Sequence, residues 1–343
     1  MSQDLQTTFL SDPGFFPFNI DVTGERVHIA RLSLDAIASA SFLDQRVLQA
    51  NTPQGWLEWQ QLAEAGASLT RKPRFIFHIG HVGSTLMSRL LGTHDQVHAL
   101  REPFALRPMA ELGGKVAAPD MPWEPKLWQQ RLQQLLLWLG RAPDEQNTII
   151  KASSFVSEIA PEIMAATGPA LLLTTKPHIY LATIFAGDAG RAETLSLAAA
   201  RLNRLHRMLD ATPWTLWQMS PGEKVAMSWA CEMVALSRAD SEDGDSLWCD
   251  FDVFLDAPHA KFEEIAAVFD LHFEDQALHE TLNGPIMQQY SKAPEHGYSP
   301  QLRRDVIAQA EHNWAEEIAK GTAWLEAAAK EHPPIANALE RLA

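Results

Sequence analysis

Apolar positions along the chain fall into two alternating patterns. Short, nearly continuous apolar runs with β-branched and aromatic members stand at Phe75 to Ile79, Gln96 to Leu100, Thr148 to Lys151 and Pro169 to Thr175, and again at Ser246 to Asp252. Runs of this length and composition suit strands buried on both faces of a parallel sheet. Between them, apolar residues recur at helical spacing. Leu86, Leu90 and Leu91 precede Gly92, and Leu127, Trp128, Leu132, Leu135, Leu136 and Leu139 mark a helix over Trp123 to Leu139. Further helices are expected at Val156 to Ala166 and from Lys176-Pro177 through Ile184, where proline suits a first helical turn. The repeat of strand, loop and helix predicts an α/β fold, a three-layer sandwich with a central, mostly parallel sheet and right-handed crossovers. The carboxyl-terminal part reads as helix-rich, with helices over Ala192 to Leu209, Pro221 to Arg238, Phe262 to Phe269, Gln276 to Leu282 and Pro300 to Lys330.

Residues 1–70 read as an amino-terminal extension packing on the main domain, 71–343. Ser11-Asp-Pro-Gly-Phe-Phe-Pro17 has loop chemistry, Arg26 to Ala30 strand composition, and Leu34 to Leu48 and Gly55 to Ala67 helical periodicity. Trp56, Leu57, Trp59, Leu62 and Ala63 form an apolar stripe, read as packing surface. Arg71-Lys-Pro-Arg74 marks the boundary. Gly284 to Pro300, with Tyr290, Ser291 and Lys292, reads as a charged surface loop or as a basic lid over an anionic ligand.

Composition narrows the function. With 343 residues, 46% hydrophobic and 21% charged, the chain has ordinary globular balance. A formal net charge of −15 argues against non-specific binding to nucleic acid or anionic membrane. An anionic ligand therefore needs a local basic pocket. Cys231 and Cys249 supply no disulfide framework or zinc spacing, and neither a signal sequence nor an apolar membrane span is evident; a cytoplasmic protein is expected.

The candidate chemistry centres on Phe75 to Gly92, a strand, a glycine-containing loop and a helix. Gly80 and Gly83 permit a tight turn, Ser84 and Thr85 are N-cap residue types, and backbone N–H groups converge where a helix begins. This pattern fits an anion cradle and also fits an ordinary core turn. An ATP-type phosphate loop would need Gly-Lys-Ser/Thr, and the lysine position holds Ser84. Arg101-Glu102-Pro103 follows the second strand, where a guanidinium and a carboxylate serve either a site or a mutual ion pair. Lys151, Ser153 and Ser154 follow the third strand, as site groups or as a solvated lysine and a serine cap. His78, His81, His94 and His98 lie close in sequence, but no cysteine or carboxylate completes a metal pattern, so no metal is expected.

The order of these pieces resembles the sulfotransferase superfamily, P-loop-related enzymes that use 3′-phosphoadenosine 5′-phosphosulfate (PAPS). Four segments over most of residues 74–271 carry the likeness: Phe75 to Leu91, Leu100-Arg-Glu-Pro103, Leu171 to Ile184 with its Pro177-to-Thr183 spacing, and Ser228-Trp229 through Leu271 with Asp250-Phe-Asp252. The resemblance implies sulfuryl transfer from PAPS to a hydroxyl or amine of a small-molecule acceptor. Gly80, His81, Val82, Gly83, Ser84 and Thr85 would then hold the 5′-phosphosulfate, and Lys176 and Thr183 the 3′-phosphate. Glu102 would take the acceptor's proton and His81 would assist the leaving group, with Lys151, Ser153, Lys292 and Arg303 as further candidates. Trp123, Trp128, Phe155 and Tyr290 point to an apolar or aromatic acceptor.

Three departures bear on the chemistry. The family usually has Lys or Arg where His81 stands, and an Arg where Thr175 stands, one residue before Lys176. Its small-molecule enzymes have a His base after the third strand, where Ser153 or Ser154 stands, so that Glu102 matches best the carboxylate used by other members. An imidazole serves as the missing cation only when protonated, a form that a nearby phosphate favours. The alternatives are a catalytically degenerate relative that binds another anion or a protein partner, and an ATP-dependent kinase.

Overall fold

The structure is a computed structural model that describes residues 3–116, 118–240, 246–289 and 297–341. Among the described residues, eight strands form two sheets. Strands β1 (Phe15–Asp21), β2 (Arg26–Arg31) and β3 (Gln54–Glu58) make an antiparallel sheet. Strands β4 (Arg74–His78), β5 (Val97–Arg101), β6 (Asn147–Lys151), β7 (Leu171–Thr174) and β8 (Leu247–Asp250) make a parallel sheet in the order β5-β6-β4-β7-β8. Strands β4, β6 and β7 are buried along almost their whole length, as their continuous apolar runs require, while β8 at the edge is mostly half-buried. Helices from the crossovers pack against it, so the α/β architecture read from the alternation is the architecture observed.

The chain leaves β4 toward β5 on one side, and leaves β6 for β7 on the other. Divergent exits open a crevice at the carboxyl end of β4, the usual ligand position in such sheets. The helix Ser84–Leu91 starts there and is capped by Gly92, as expected.

Differences from the periodicity lie mainly before residue 70. The strand Phe15–Asp21 begins inside the stretch Ser11 to Pro17 expected as loop, and the expected second helix is half strand, Gln54–Glu58, and half helix, Trp59–Ala65. Trp56 is thereby exposed and stacks on His28, while Trp59 is buried against Trp138. Cross-strand pairing with β2 decides the strand half, and helical spacing over a few residues could not register it. The helix expected over Leu34 to Leu48 ends at Ser39, followed by a short 3-10 turn, and that over Pro300 to Lys330 breaks at Trp314 into Pro300–Asn313 and Ala315–Glu331.

Two buried arginines join the amino-terminal segment to the parallel sheet. Arg141 donates to the carbonyls of Phe9 (2.5 Å), Asp12 (2.9 Å) and Phe15 (2.7 Å). Arg101, at the end of β5, donates to Ala40 O at 2.6 Å, to Ile37 O at 3.3 Å and to Ala38 O, taking carbonyls that the end of the Leu34–Ser39 helix leaves unpaired. Among the described residues no helix is long and apolar enough to cross a membrane.

Candidate active site

The loop after β4 owes its shape to three left-handed residues, Gly80 (φ +90°), His81 (+56°) and Gly83 (+66°). Buried His78 braces it. Its Nδ1 accepts the Gly80 N–H at 3.0 Å, which places the ring proton on Nε2, donated to Ala152 O at 2.8 Å. The helix N-cap is Gly83, with Ser84 the first helical residue, so the serine and threonine are not caps as their residue types had implied. Met87 N–H closes the first helical bond on Gly83 O at 2.9 Å. Among the described residues, the N–H groups of Val82 to Leu86 have no protein acceptor. Consecutive free N–H groups at a helix start form an electropositive concavity.

These residues line a cleft of about 110 Å³ together with Thr183, Phe251, Gln289, Tyr298 and Arg303. The hydroxyls of Thr85 and Thr183 are buried without a hydrogen-bond partner. Buried orphan hydroxyls are costly unless something fills the space. Donors of this kind suit the oxygens of a phosphate or sulfate.

The dipeptide Phe251-Asp252 builds the opposite wall. A Cβ on Gly83 would stand 2.0 Å from a Phe251 ring carbon, so the ring lies directly against the loop. Asp252 holds Arg303, with Nε to Oδ1 at 3.0 Å and Nη2 to Oδ2 at 3.3 Å, and accepts the Thr175 hydroxyl at 2.8 Å. The Arg303 guanidinium also lies 5.1 Å from the Phe251 centroid. Asp250, just before, caps the short helix Phe251–Asp256 by accepting from Asp252 N and Val253 N. Burial pushes its carboxyl up, against the opposing effect of those N–H donors.

His81 lies at the cleft with Nε2 3.4 Å from Glu193 Oε2, on the long helix Asp188–Leu209. Glu102 sits elsewhere on the carboxyl edge of the sheet. It follows β5 with φ +52°, donates its N–H to Lys151 O at 2.7 Å, and pairs its carboxylate with the wholly buried Lys151 ammonium. Phe42 packs over that ammonium at 5.6 Å and carries Arg46 at 3.7 Å.

The sequence-derived candidates therefore divide. The loop, Thr183 and Arg303 come together. Lys176 is exposed in a second cleft, beside Trp248, Asp250 and Lys261. The spacing to Pro177 could not reveal this, because a strand's last residues alternate sides. Lys151 is committed to Glu102, and Ser153 stands before a 3-10 turn without a side-chain cap bond. Lys292 and Tyr290 lie outside the described residues. Trp123 and Trp128 are core: Trp123 carries Arg131 at 4.2 Å, and Trp128 Nε1 donates to Met109 O at 3.1 Å. Phe155 is half-buried beneath Arg107 and Arg204. His94 is bonded to His272 O, and His98 is buried on β5, so the four neighbouring histidines occupy separate environments. Sequence reading had not assigned Phe251, Asp252 or Glu193 to the site. Asp252 had a signal, a carboxylate just past a strand of the parallel sheet; Phe251 and Glu193, the latter on a mostly polar helix, had none.

No protein-family model matches the sequence, and no curated protein matches it. Solved structures do. The sulfotransferase domain from the curacin biosynthetic pathway is 14% identical with a TM-score of 0.40, over 75% of this chain and 99% of that one. Sulfotransferase STF9 from Mycobacterium avium is 11% identical with a TM-score of 0.40, over 74% and 79% of the two chains. The sulfotransferase domain of the Synechococcus PCC 7002 olefin synthase is 15% identical with a TM-score of 0.36, over 74% and 96%.

Proposed function

We propose that the chain transfers a sulfuryl group from PAPS to a hydroxyl or amine of a small acceptor. The observation that carries this reading is the cleft at the end of β4, where unpaired loop N–H groups, two orphan buried hydroxyls and the Arg303 guanidinium converge. At about 110 Å³ the cleft accommodates a phosphate- or sulfate-sized group, below the roughly 300–1,000 Å³ of a pocket for a whole ligand. The nucleoside would therefore extend along the open mouth.

PAPS would supply the activated sulfuryl group. The protein's own contribution is to hold donor and acceptor in line and to stabilise spreading negative charge. Val82 to Leu86 N–H groups and the Thr85 hydroxyl bind the 5′ end. Thr183 and Arg303 bind the second phosphate, a role in which Arg303 takes the place first given to Lys176. His81 stabilises charge on the leaving oxygen, and Glu102 accepts the acceptor's proton.

One observation favours a binding role without transfer: among the described residues, the two basic side chains of the cleft already face carboxylates, His81 with Glu193 and Arg303 with Asp252. Calorimetry with 3′-phosphoadenosine 5′-phosphate, followed by PAPS turnover on phenols, alcohols and amines, separates the readings. Micromolar binding and turnover are expected; binding without turnover leaves the binding role, and no binding by a folded protein sinks both nucleotide readings.

A further inference from the structure

The guanidinium of Arg303 comes to the cleft from the helix Pro300–Asn313, but the groups that fix it belong to the parallel sheet. Strands β7 and β8 lie side by side, with Thr174 in register with Asp250. Just past them the Thr175 hydroxyl donates to Asp252 Oδ2 at 2.8 Å. Both ends of that bond are anchored. Thr175 is wholly buried and its carbonyl accepts the Trp229 indole N–H at 3.1 Å, while the Asp252 N–H is donated to Asp250 Oδ1 at 2.8 Å. The Asp252 carboxylate in turn accepts Arg303 Nε at 3.0 Å and Nη2 at 3.3 Å.

This grip takes the guanidinium from one side. It uses Nε and one N–H of Nη2, and leaves the outer end of the group, with Nη1, to a ligand. Arg303 lines the anion cleft, whereas Thr175 and Asp252 do not. Asp252 lines a neighbouring cleft of about 250 Å³ that Arg303 also borders, so the carboxylate holds the guanidinium from outside the anion's space. A carboxylate competing with the anion would share that space. Phe251 adds a second constraint, its ring centroid 5.1 Å from the guanidinium carbon. An arginine side chain loses rotamer freedom when it binds a ligand, and one already held in place loses less.

We propose that Asp252, and Thr175 through it, are positioning residues that aim the outer end of Arg303 at an anion in the loop, for paired N–H contacts to the anion's oxygens. This deepens the reading of the cleft as the anion site and rests on it. Paired contacts of this kind need the planar fork of an arginine at a fixed angle, which a side-on carboxylate sets. The neutral Thr175 hydroxyl then bears on affinity although it lies outside the cleft.

The test is calorimetry of 3′-phosphoadenosine 5′-phosphate binding to wild type, Thr175→Val, Thr175→Ser and Asp252→Asn, each also combined with Arg303→Ala, with melting temperatures to check folding. Thr175→Val changes neither charge nor cleft wall and should bind about 3–5-fold more weakly, while Thr175→Ser, which keeps the hydroxyl, should bind like wild type. Asp252→Asn should bind about 3–10-fold more weakly even though it removes a negative charge near the anion. Arg303→Ala should bind about tenfold more weakly, and in its background the Thr175→Val and Asp252→Asn losses should vanish. If Thr175→Val folds poorly, Asp252→Asn carries the same comparison. Losses that persist undiminished without Arg303, unchanged affinity in both variants, or tighter binding by Asp252→Asn overturn the positioning role and leave the nucleotide reading standing. If wild type fails to bind the nucleotide, inorganic sulfate is titrated with melting temperature as the readout. The same pattern across the variants then keeps the positioning role while the nucleotide reading falls; no stabilisation of wild type by sulfate sinks both.

Discussion

A methyl group at Gly83 would meet a Phe251 ring carbon at 2.0 Å, on a backbone held at φ +66°. Left-handed φ costs an L-residue about 1 kcal/mol, and the overlap forces either the loop or the ring to move. Gly83→Ala should therefore lower binding of 3′-phosphoadenosine 5′-phosphate by at least about tenfold, with only a small fall in melting temperature; unchanged affinity by calorimetry would show that the N–H concavity is not the anion site. Gly80 and Gly83 stood out in the sequence as turn residues. The left-handed His81 did not, because nothing local distinguishes it from any loop histidine, and its partner lies over a hundred residues away in a helix with no other marked feature.

At the scale of elements, β5 and β6 end on the Glu102–Lys151 pair. Lys151 is wholly buried, so neutralising the carboxylate that faces it breaks a buried ion pair, a loss of roughly 3–5 kcal/mol in comparable cases. Glu102→Gln should be strongly destabilised to denaturant, and adding Lys151→Met should restore much of the stability. If Glu102 is the proton acceptor, PAPS turnover stays about a hundredfold or more down in the stabilised double variant. Recovery of turnover along with stability would reduce Glu102 to a structural ion pair. The strands carrying these residues were legible because double-sided burial writes itself as a continuous apolar run. The sequence offered Glu102 an ion pair with the adjacent Arg101; the structure instead sends Arg101 to backbone carbonyls and pairs Glu102 with Lys151, because adjacency of β5 to β6 is a property of strand order.

Across the whole molecule, the parallel sheet and the amino-terminal segment share buried cations. His98, on β5, is pushed down to about 4 by burial and by the nearby Arg141 and Arg101 guanidiniums. The unfolded chain binds a proton near pH 6.5 while the folded chain refuses it. This contribution is therefore fully present above about pH 6.5 and is lost as pH falls toward 4. The melting temperature should drop over that window more steeply in wild type than in His98→Gln; parallel curves would exclude His98 as a source of acid lability.

From the sequence alone come the α/β class, the five parallel strands, the anion-loop segment, and Thr183 and Arg303 as candidates. The first three follow from local rules of period, turn chemistry and residue type acting over a few residues, and the last two from the resemblance to sulfotransferases. Tertiary structure alone decided that Arg303 rather than Lys176 shares the loop's cleft, that Phe251 walls it, and that His81 meets Glu193. These depend on strand order and on which face of a helix meets the sheet, set by burying the whole core at once. A spacing of residues along the chain does not encode the direction in which a side chain leaves it.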